Sequence, residues 1–215
     1  MKNRSYAVFG LGRYGRAVAK ELVDNGNEVI AVDDNQDVVN EAAADIPLCK
    51  CADVTDADVI ARLGIADVDT VIICMANSLE ASVMAVTLCK EAGVKKVIAK
   101  CGSEMHRKIL LRVGADEVVF PENESGTRLA KNLLSSGFID MISLSRDVSM
   151  VEIDMKSEWI GKNLIELNLR KKYGFNIVAL KKGESVSVNI NPEQPLDADT
   201  TLIVIANTSK LGKLS

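Results

Sequence analysis

The chain has 215 residues, 47% of them hydrophobic and 26% charged, with 14 glycines and only 4 prolines. This composition excludes a disordered, collagenous or low-complexity protein, and a net charge of −4 argues against a general nucleic-acid footprint, which would show as a basic surface. Only 4% of the residues are aromatic, so the core must be built from aliphatic side chains, as layered α/β sheets are.

Residues 6–9 form a short apolar run that ends in glycines. Residues 16–25 follow with Ala17, Val18, Leu22 and Val23 at helical spacing, stopped by Gly26. A strand over 28–32 ends at Asp33, 37–44 is helical, 48–51 strand-like, and 56–63 helical with Gly64 as its stop. Residues 70–74 give the strongest buried-strand signal. A helix over 79–92, a strand over 97–99, a helix over 104–113 and a strand over 117–120 complete the series. Strand–helix alternation with short connections builds a Rossmann-like, doubly wound parallel sheet. Pro121 ends the last strand, and 122–136 is one more amphipathic helix with Leu129, Leu133 and Leu134, closed by Gly137.

Beyond this point the period changes from 3.6 to 2. Met150, Glu152 and Asp154 alternate with Val151, Ile153 and Met155. A short helix over 164–173 ends at Gly174, a strand covers 176–180, and Lys182-Gly183-Glu184 turns it into an alternating partner, Val186, Val188 and Ile190. A last strand covers 201–206. The reading is a first domain over 1–140 and a small α+β second domain over 141–215, of a size that gains stability from burial against a partner.

No stretch approaches the roughly 18 apolar residues of a membrane span, and the first residues lead into a strand with no apolar leader, so neither a membrane helix nor an export signal is expected. The five cysteines (Cys49, Cys51, Cys74, Cys89, Cys101) form no C-x-x-C pair and a single histidine accompanies them. A zinc site is therefore not expected, and reduced cytosolic thiols are. His106 reads as a surface or interface residue, Trp159 as packing, and Lys171-Lys172 and Lys181-Lys182 as solvated faces.

The sharpest chemical signal is Gly10-Leu11-Gly12-Arg13-Tyr14-Gly15, between a strand and a helix. The first glycine permits a tight turn, the second lets backbone N–H groups approach a pyrophosphate, and the third lets helix and strand pack closely. The next strand ends in Asp33, followed by Asp34, where a carboxylate accepts ribose hydroxyls and disfavours a 2′-phosphate. Further candidates follow later strands: Asp53 and Thr55, Ala76 and Asn77, Lys100, Glu122. Each has a plainer reading: Asp53 and Thr55 as a helix start, Asn77 as an N-cap, Glu122 as a dipole partner, and Lys100 and Arg13 as solvated charges. Their shared position at the carboxyl edge of the sheet favours a ligand.

With these residues in hand, nearly the whole chain resembles the cytosolic RCK (regulator of potassium conductance) subunits of Ktr/Trk-type potassium uptake systems. The carriers are the glycine loop, Val32-Asp33, Asp53-Val54-Thr55-Asp56, Ala99-Lys100, and Gly114-Ala115-Asp116 with Pro121-Glu122. In the second domain they are Leu167-Asn168-Leu169-Arg170-Lys171-Lys172-Tyr173-Gly174 and Asn176-Ile177-Val178-Ala179. The resemblance implies homodimers assembling into an octameric ring on the cytoplasmic face of the membrane, beneath a membrane-embedded potassium-translocating subunit. It implies ATP and ADP as opposing ligands, with NAD(H) in some relatives. Arg13 matches a contact to the terminal phosphates, Asp33 the ribose ligand, Lys100 a phosphate contact, and Glu122 an acid sharing Mg²⁺ or Ca²⁺ between subunits. Ala76-Asn77 replaces the Gly-Ala often found after the fourth strand. Cyclic di-AMP is the implied ligand of the second domain, at a two-fold interface, with Arg170 and Asn176 as polar contacts and Leu169, Ile177 and Pro192 as apolar ones.

A small NAD-dependent oxidoreductase is the rival. It would need an acid or base beside a substrate pocket, and no Tyr-x-x-x-Lys pair is suitably placed. A redox-sensing repressor would need a basic winged-helix segment, which the chain lacks.

Overall fold

The computed structural model describes residues 4–134, 138–145 and 147–211. By contacts the chain divides into two compact units, Met1–Pro121 and Glu122–Ser215. This division falls ahead of the helix that the sequence reading placed inside the first domain.

The first unit runs β1 (Ser5–Phe9), α1 (Arg13–Asp24), β2 (Glu28–Asp33), α2 (Gln36–Ala42), β3 (Cys49–Cys51), α3 (Ala57–Leu63), β4 (Thr70–Ile73), α4 (Leu79–Glu91), β5 (Val97–Lys100), α5 (Glu104–Arg112) and β6 (Glu117–Val119). The strands form one parallel sheet in the order β3-β2-β1-β4-β5-β6. Two apolar clusters cover its faces, because strands buried on both sides present alternate residues to each. Ala7, Phe9, Val71 and Ile73 belong to one cluster, and Val8, Ala31 and Ile72 to the other. The chain order reverses between β1 and β4, and open parallel sheets bind ligands at the carboxyl ends of the strands flanking such a reversal.

The second unit holds α6 (Pro121–Leu134) from its second residue on, β7 (Phe138–Ser143), β8 (Val148–Ile153), α7 (Leu164–Leu167), α8 (Leu169–Tyr173), β9 (Asn176–Lys182), β10 (Ser185–Ser187), β11 (Thr200–Asn207) and α9 (Thr208–Leu211). Its sheet is antiparallel in the order β10-β9-β11-β8-β7. One face carries a core of Val151, Ile153, Leu202 and Val204 with Trp159, Leu167, Leu169 and Phe175. Pro121 opens α6 rather than preceding it, since proline lacks only an N–H that the first helical position leaves unused. The helix expected over 164–173 is two short ones, split where Asn168 takes a left-handed backbone with φ of 45°. Asn tolerates this conformation better than most non-glycine residues. The partner expected to run through Ile190 leaves the ladder at Ser187, and Val186 and Val188 are exposed. Lys181 lies on no freely solvated face: it pairs with Glu152 across the sheet at 2.9 Å.

Candidate functional site

After β1 the chain turns at Gly10, whose φ of +87° suits glycine and whose N–H donates to the Val32 carbonyl at 2.8 Å. Gly12 is the N-cap of α1, and Arg13, Tyr14 and Gly15 form its first turn. The four helices that follow in this unit are each capped by a side chain, from Asn35, Asp56, Ser78 and Ser103, and each has an acid in its first turn. No side chain caps α1, and its first turn has no acid. Its N-terminal donors and positive dipole end are therefore left for an external anion. A Cβ on Gly12 would meet nothing within 4 Å, so open space lies over this turn.

Asp33, the last residue of β2, closes the loop from the other side. Its Oδ2 accepts the Leu11 N–H at 2.6 Å and its Oδ1 the Asn35 N–H at 3.0 Å. A carboxylate oxygen has two lone-pair sites, so each keeps capacity for a ribose hydroxyl. Asp53 accepts from both the hydroxyl (2.7 Å) and the N–H (2.9 Å) of Thr55. These bonds, the hydroxyl's first, hold its carboxyl below the usual range. The plainer readings of two candidates fail, because the caps of α3 and α4 are Asp56 and Ser78 and not Asp53 or Asn77.

Gly10, Gly12, Asp33, Asp34, Asp53 and Asn77 line one cavity of about 410 Å³ at the topological reversal. Lys100 lies with its ammonium 5.4 Å from the centroid of the Tyr14 ring, a cation–π distance that holds it at the start of α1. Arg13 is exposed on the same turn. Acids thus line the cavity, while Arg13 and Lys100 stand at the start of α1, outside its lining. Ala76 is outside the cavity's lining; its carbonyl oxygen would lie 3.2 Å from a Cβ on Gly102. Glu122, in the first turn of α6, belongs to the other unit. Val38, Met75, Ser78 and Ala81 also line the cavity. Sequence reasoning missed Val38, Met75 and Ala81 because apolar walls carry no chemical mark, and Ser78 because its hydroxyl is taken up in capping α4.

Behind the loop, burial pushes the Cys74 thiol up to about 12, so it is a protonated packing group rather than a nucleophile. His106 contradicts its expected surface position: it is 6% exposed. Ser103 caps its helix through the His106 N–H, which turns the imidazole inward to Ser82.

In the second unit, Leu169, Arg170, Asn176 and Ile177 border a cavity of about 460 Å³ together with Leu164, Ile165, Asn168 and Phe175. Pro192 is not in its lining, although its carbonyl accepts the Leu164 N–H at 3.1 Å.

Residues 6–121 match the TrkA-N domain and residues 148–215 the TrkA-C domain. Ktr system potassium uptake protein C of Bacillus subtilis is 36% identical over 98% of this chain and 95% of its own length. Ktr system potassium uptake protein A of Vibrio alginolyticus is 34% identical over 98% and 96%. Among solved structures, the GsuK channel superposes over the whole chain with a TM-score of 0.72 at 20% identity, and this chain spans 39% of its length. The same channel has also been solved bound to NAD, with a TM-score of 0.66. At that identity the likeness concerns the fold.

Proposed function

The chain belongs to the family that joins a TrkA-N to a TrkA-C domain, and from that premise we propose that it is the nucleotide-gated regulatory subunit of a potassium uptake system. The observation that carries the nucleotide reading is the uncapped start of α1, facing Asp33 across one cavity at the sheet's topological reversal. ATP and ADP are the proposed ligands, with NAD(H) fitting the same loop and ribose acid. Gly10, Gly12 and the first turn of α1 take the phosphates, Arg13 and Lys100 supply positive charge, and Asp33 and Asp34 receive the ribose. Asp53 and Asn77 border the base. No turnover is proposed, and the chain's one imidazole is engaged in a buried network with Ser82 and Gly102.

Replacing Asp33 with alanine removes charge-assisted hydrogen bonds worth about 1.5–3 kcal/mol. ATP, ADP and NAD should each bind roughly ten- to a hundredfold more weakly in calorimetry. Unchanged affinity would remove the ribose assignment.

Among the described residues no group of three His, Cys, Asp or Glu side chains converges to hold a metal. Mg²⁺ needs no such cage, since it is commonly held by one or two carboxylates together with phosphate oxygens. Glu122 is the carboxylate we assign to this role, with Mg²⁺ or Ca²⁺ lending charge neutralisation when ATP is bound. The cation should raise the melting temperature of the ATP-bound chain but not that of Glu122→Gln, while ADP binding stays the same in both. An equal rise in the variant would end the metal role.

No helix among the described residues is long and apolar enough to cross a membrane. The reading includes a membrane-embedded translocating partner and a place at the cytoplasmic face. It also includes homodimers forming an octameric ring, a functional division into 1–140 and 141–215, and cyclic di-AMP as the ligand of the second domain. Light scattering with ATP and with ADP tests the ring.

A further inference from the structure

His106 lies on the buried side of α5, and its imidazole joins two loops at the carboxyl edge of the sheet. Its Nδ1 accepts the Gly102 N–H at 3.3 Å, just beyond Lys100 at the end of β5. Because Nδ1 accepts, Nε2 carries the proton and donates to Ser82 Oγ at 2.8 Å. The Ser82 hydroxyl, fully buried, then donates to the Ser78 carbonyl at 2.8 Å, with the Leu79 carbonyl at 2.9 Å. Ser78 lines the nucleotide cavity and caps α4. The same two loops run close together, since a Cβ added to Gly102 would lie 3.2 Å from the Ala76 carbonyl oxygen. One neutral ring thus satisfies a donor on one loop and, through Ser82, an acceptor on the other.

We propose that His106 is a positioning residue for the nucleotide site: its neutral imidazole clamps the loop after β5 to the first turn of α4, and protonation opens the clamp and weakens nucleotide binding. This rests on the nucleotide reading of the cavity. An imidazolium has two donors and no acceptor, so protonation sets an N–H of the ring against the Gly102 N–H in a buried place.

Among the described residues, the surroundings offer the cation no charged partner. The buried face of α4 presents Ser82, Ala85, Val86 and Cys89, whose thiol burial pushes up to about 12. The preceding strand end carries Lys100, over Tyr14, and the buried Cys101 thiol. Glu104 and Arg107 on α5 face each other at 4.0 Å, and Glu117 of β6 pairs with Lys96 at 3.0 Å. Burial alone shifts the ring, and it shifts it below 6.5. The folded value lies under the unfolded one, so the clamp is complete above pH 6.5 and is lost as pH falls through the lower folded value.

The test uses the full chain and ADP, titrated by calorimetry between about pH 8 and 5.5, with hydrogen exchange followed over residues 75–82 and 98–106. One proton linked to binding allows an affinity loss of up to tenfold per pH unit, so a loss of about tenfold across the window is expected. Exchange in both segments should rise together with it. In His106→Asn, ADP should bind more weakly at pH 8 and keep only the pH slope of ADP's own phosphates, which wild type shares; Ser82→Ala, which keeps the titrating ring, should weaken ADP binding at pH 8. Equal slopes in wild type and His106→Asn, or exchange that ignores pH in wild type, would overturn the clamp. Absence of ADP binding to wild type at pH 8 would instead overturn the nucleotide reading on which the linkage depends.

Discussion

Replacing Gly15 with alanine is expected to lower the melting temperature by on the order of ten degrees and to abolish nucleotide binding. The new Cβ would stand inside the envelope of the Gly10 carbonyl oxygen, 3.1 Å from the Gly10 carbonyl carbon and 3.2 Å from Cys74 Cβ. None of these is the end of a flexible side chain. Two are backbone of the loop itself, and Cys74 follows β4 directly. Helix α1 would have to move off the sheet, at a cost of about 3 kcal/mol or more, the upper range for overpacking a core. The same substitution at Gly12 is the control. Gly12 has φ of −61° and ψ of −176°, which alanine adopts, and its Cβ would meet nothing. Gly12→Ala should therefore melt within a degree or two of wild type, yet lose at least about tenfold in ADP affinity if phosphates occupy that space. Thermal melts and calorimetry on the pair separate a glycine required by packing from one required by a ligand. Full ADP affinity in Gly12→Ala would mean that phosphates do not approach the loop there.

The sequence discloses features of this fold that are local, and hides those made by distant packing. Val71, Ile72 and Ile73 are fully or nearly buried, and a strand covered on both faces reads as an unbroken apolar run wherever it occurs. The turn at Gly10 and the acid at the end of β2 are legible for the same reason, since each function is set by its immediate neighbours. The break at Asn168 was not legible, because many asparagines sit in helices and only the surrounding chain decides which turns left-handed. Strand β7, an edge strand that pairs only with β8, shows neither a continuous apolar run nor clean alternation. Val186 and Val188 alternate as a half-buried strand would, but β10 is the sheet's other edge and the ladder ends at Ser187. His106 was misplaced because Ser82, which its ring meets, lies on another helix, although Ser103 three residues before it marks a cap. The seating of Lys100 over Tyr14 is likewise invisible from a linear spacing of 86 positions.

Arg170→Ala is expected to weaken cyclic di-AMP binding to the full chain by about 2–3 kcal/mol in total over the two arginines of the interface, or roughly thirty- to 150-fold. The argument begins with the turn at Asn168, which redirects the chain so that Leu169 enters the core while Arg170 remains exposed at the rim of the cavity. Phe175 is buried, and Asn176 and Ile177, opening β9, line the same cavity. Its lining thus combines polar with apolar side chains, as a purine base joined to a phosphate requires. Among the described residues no carboxylate pairs with Arg170, so its guanidinium needs no ion pair broken before meeting a phosphate. In a two-fold interface each of two identical phosphates would meet one copy of the arginine, so a single substitution removes both contacts. Arg170→Lys keeps the charge without the planar fork and should fall between wild type and alanine. Pro192 lies outside the cavity's lining, so Pro192→Ala should change affinity less than twofold. Calorimetry with cyclic di-AMP on the three variants decides the assignment: equal affinity in wild type and Arg170→Ala would leave the cavity without its phosphate ligand, and the basic end of α8 would be only a solvated helix terminus.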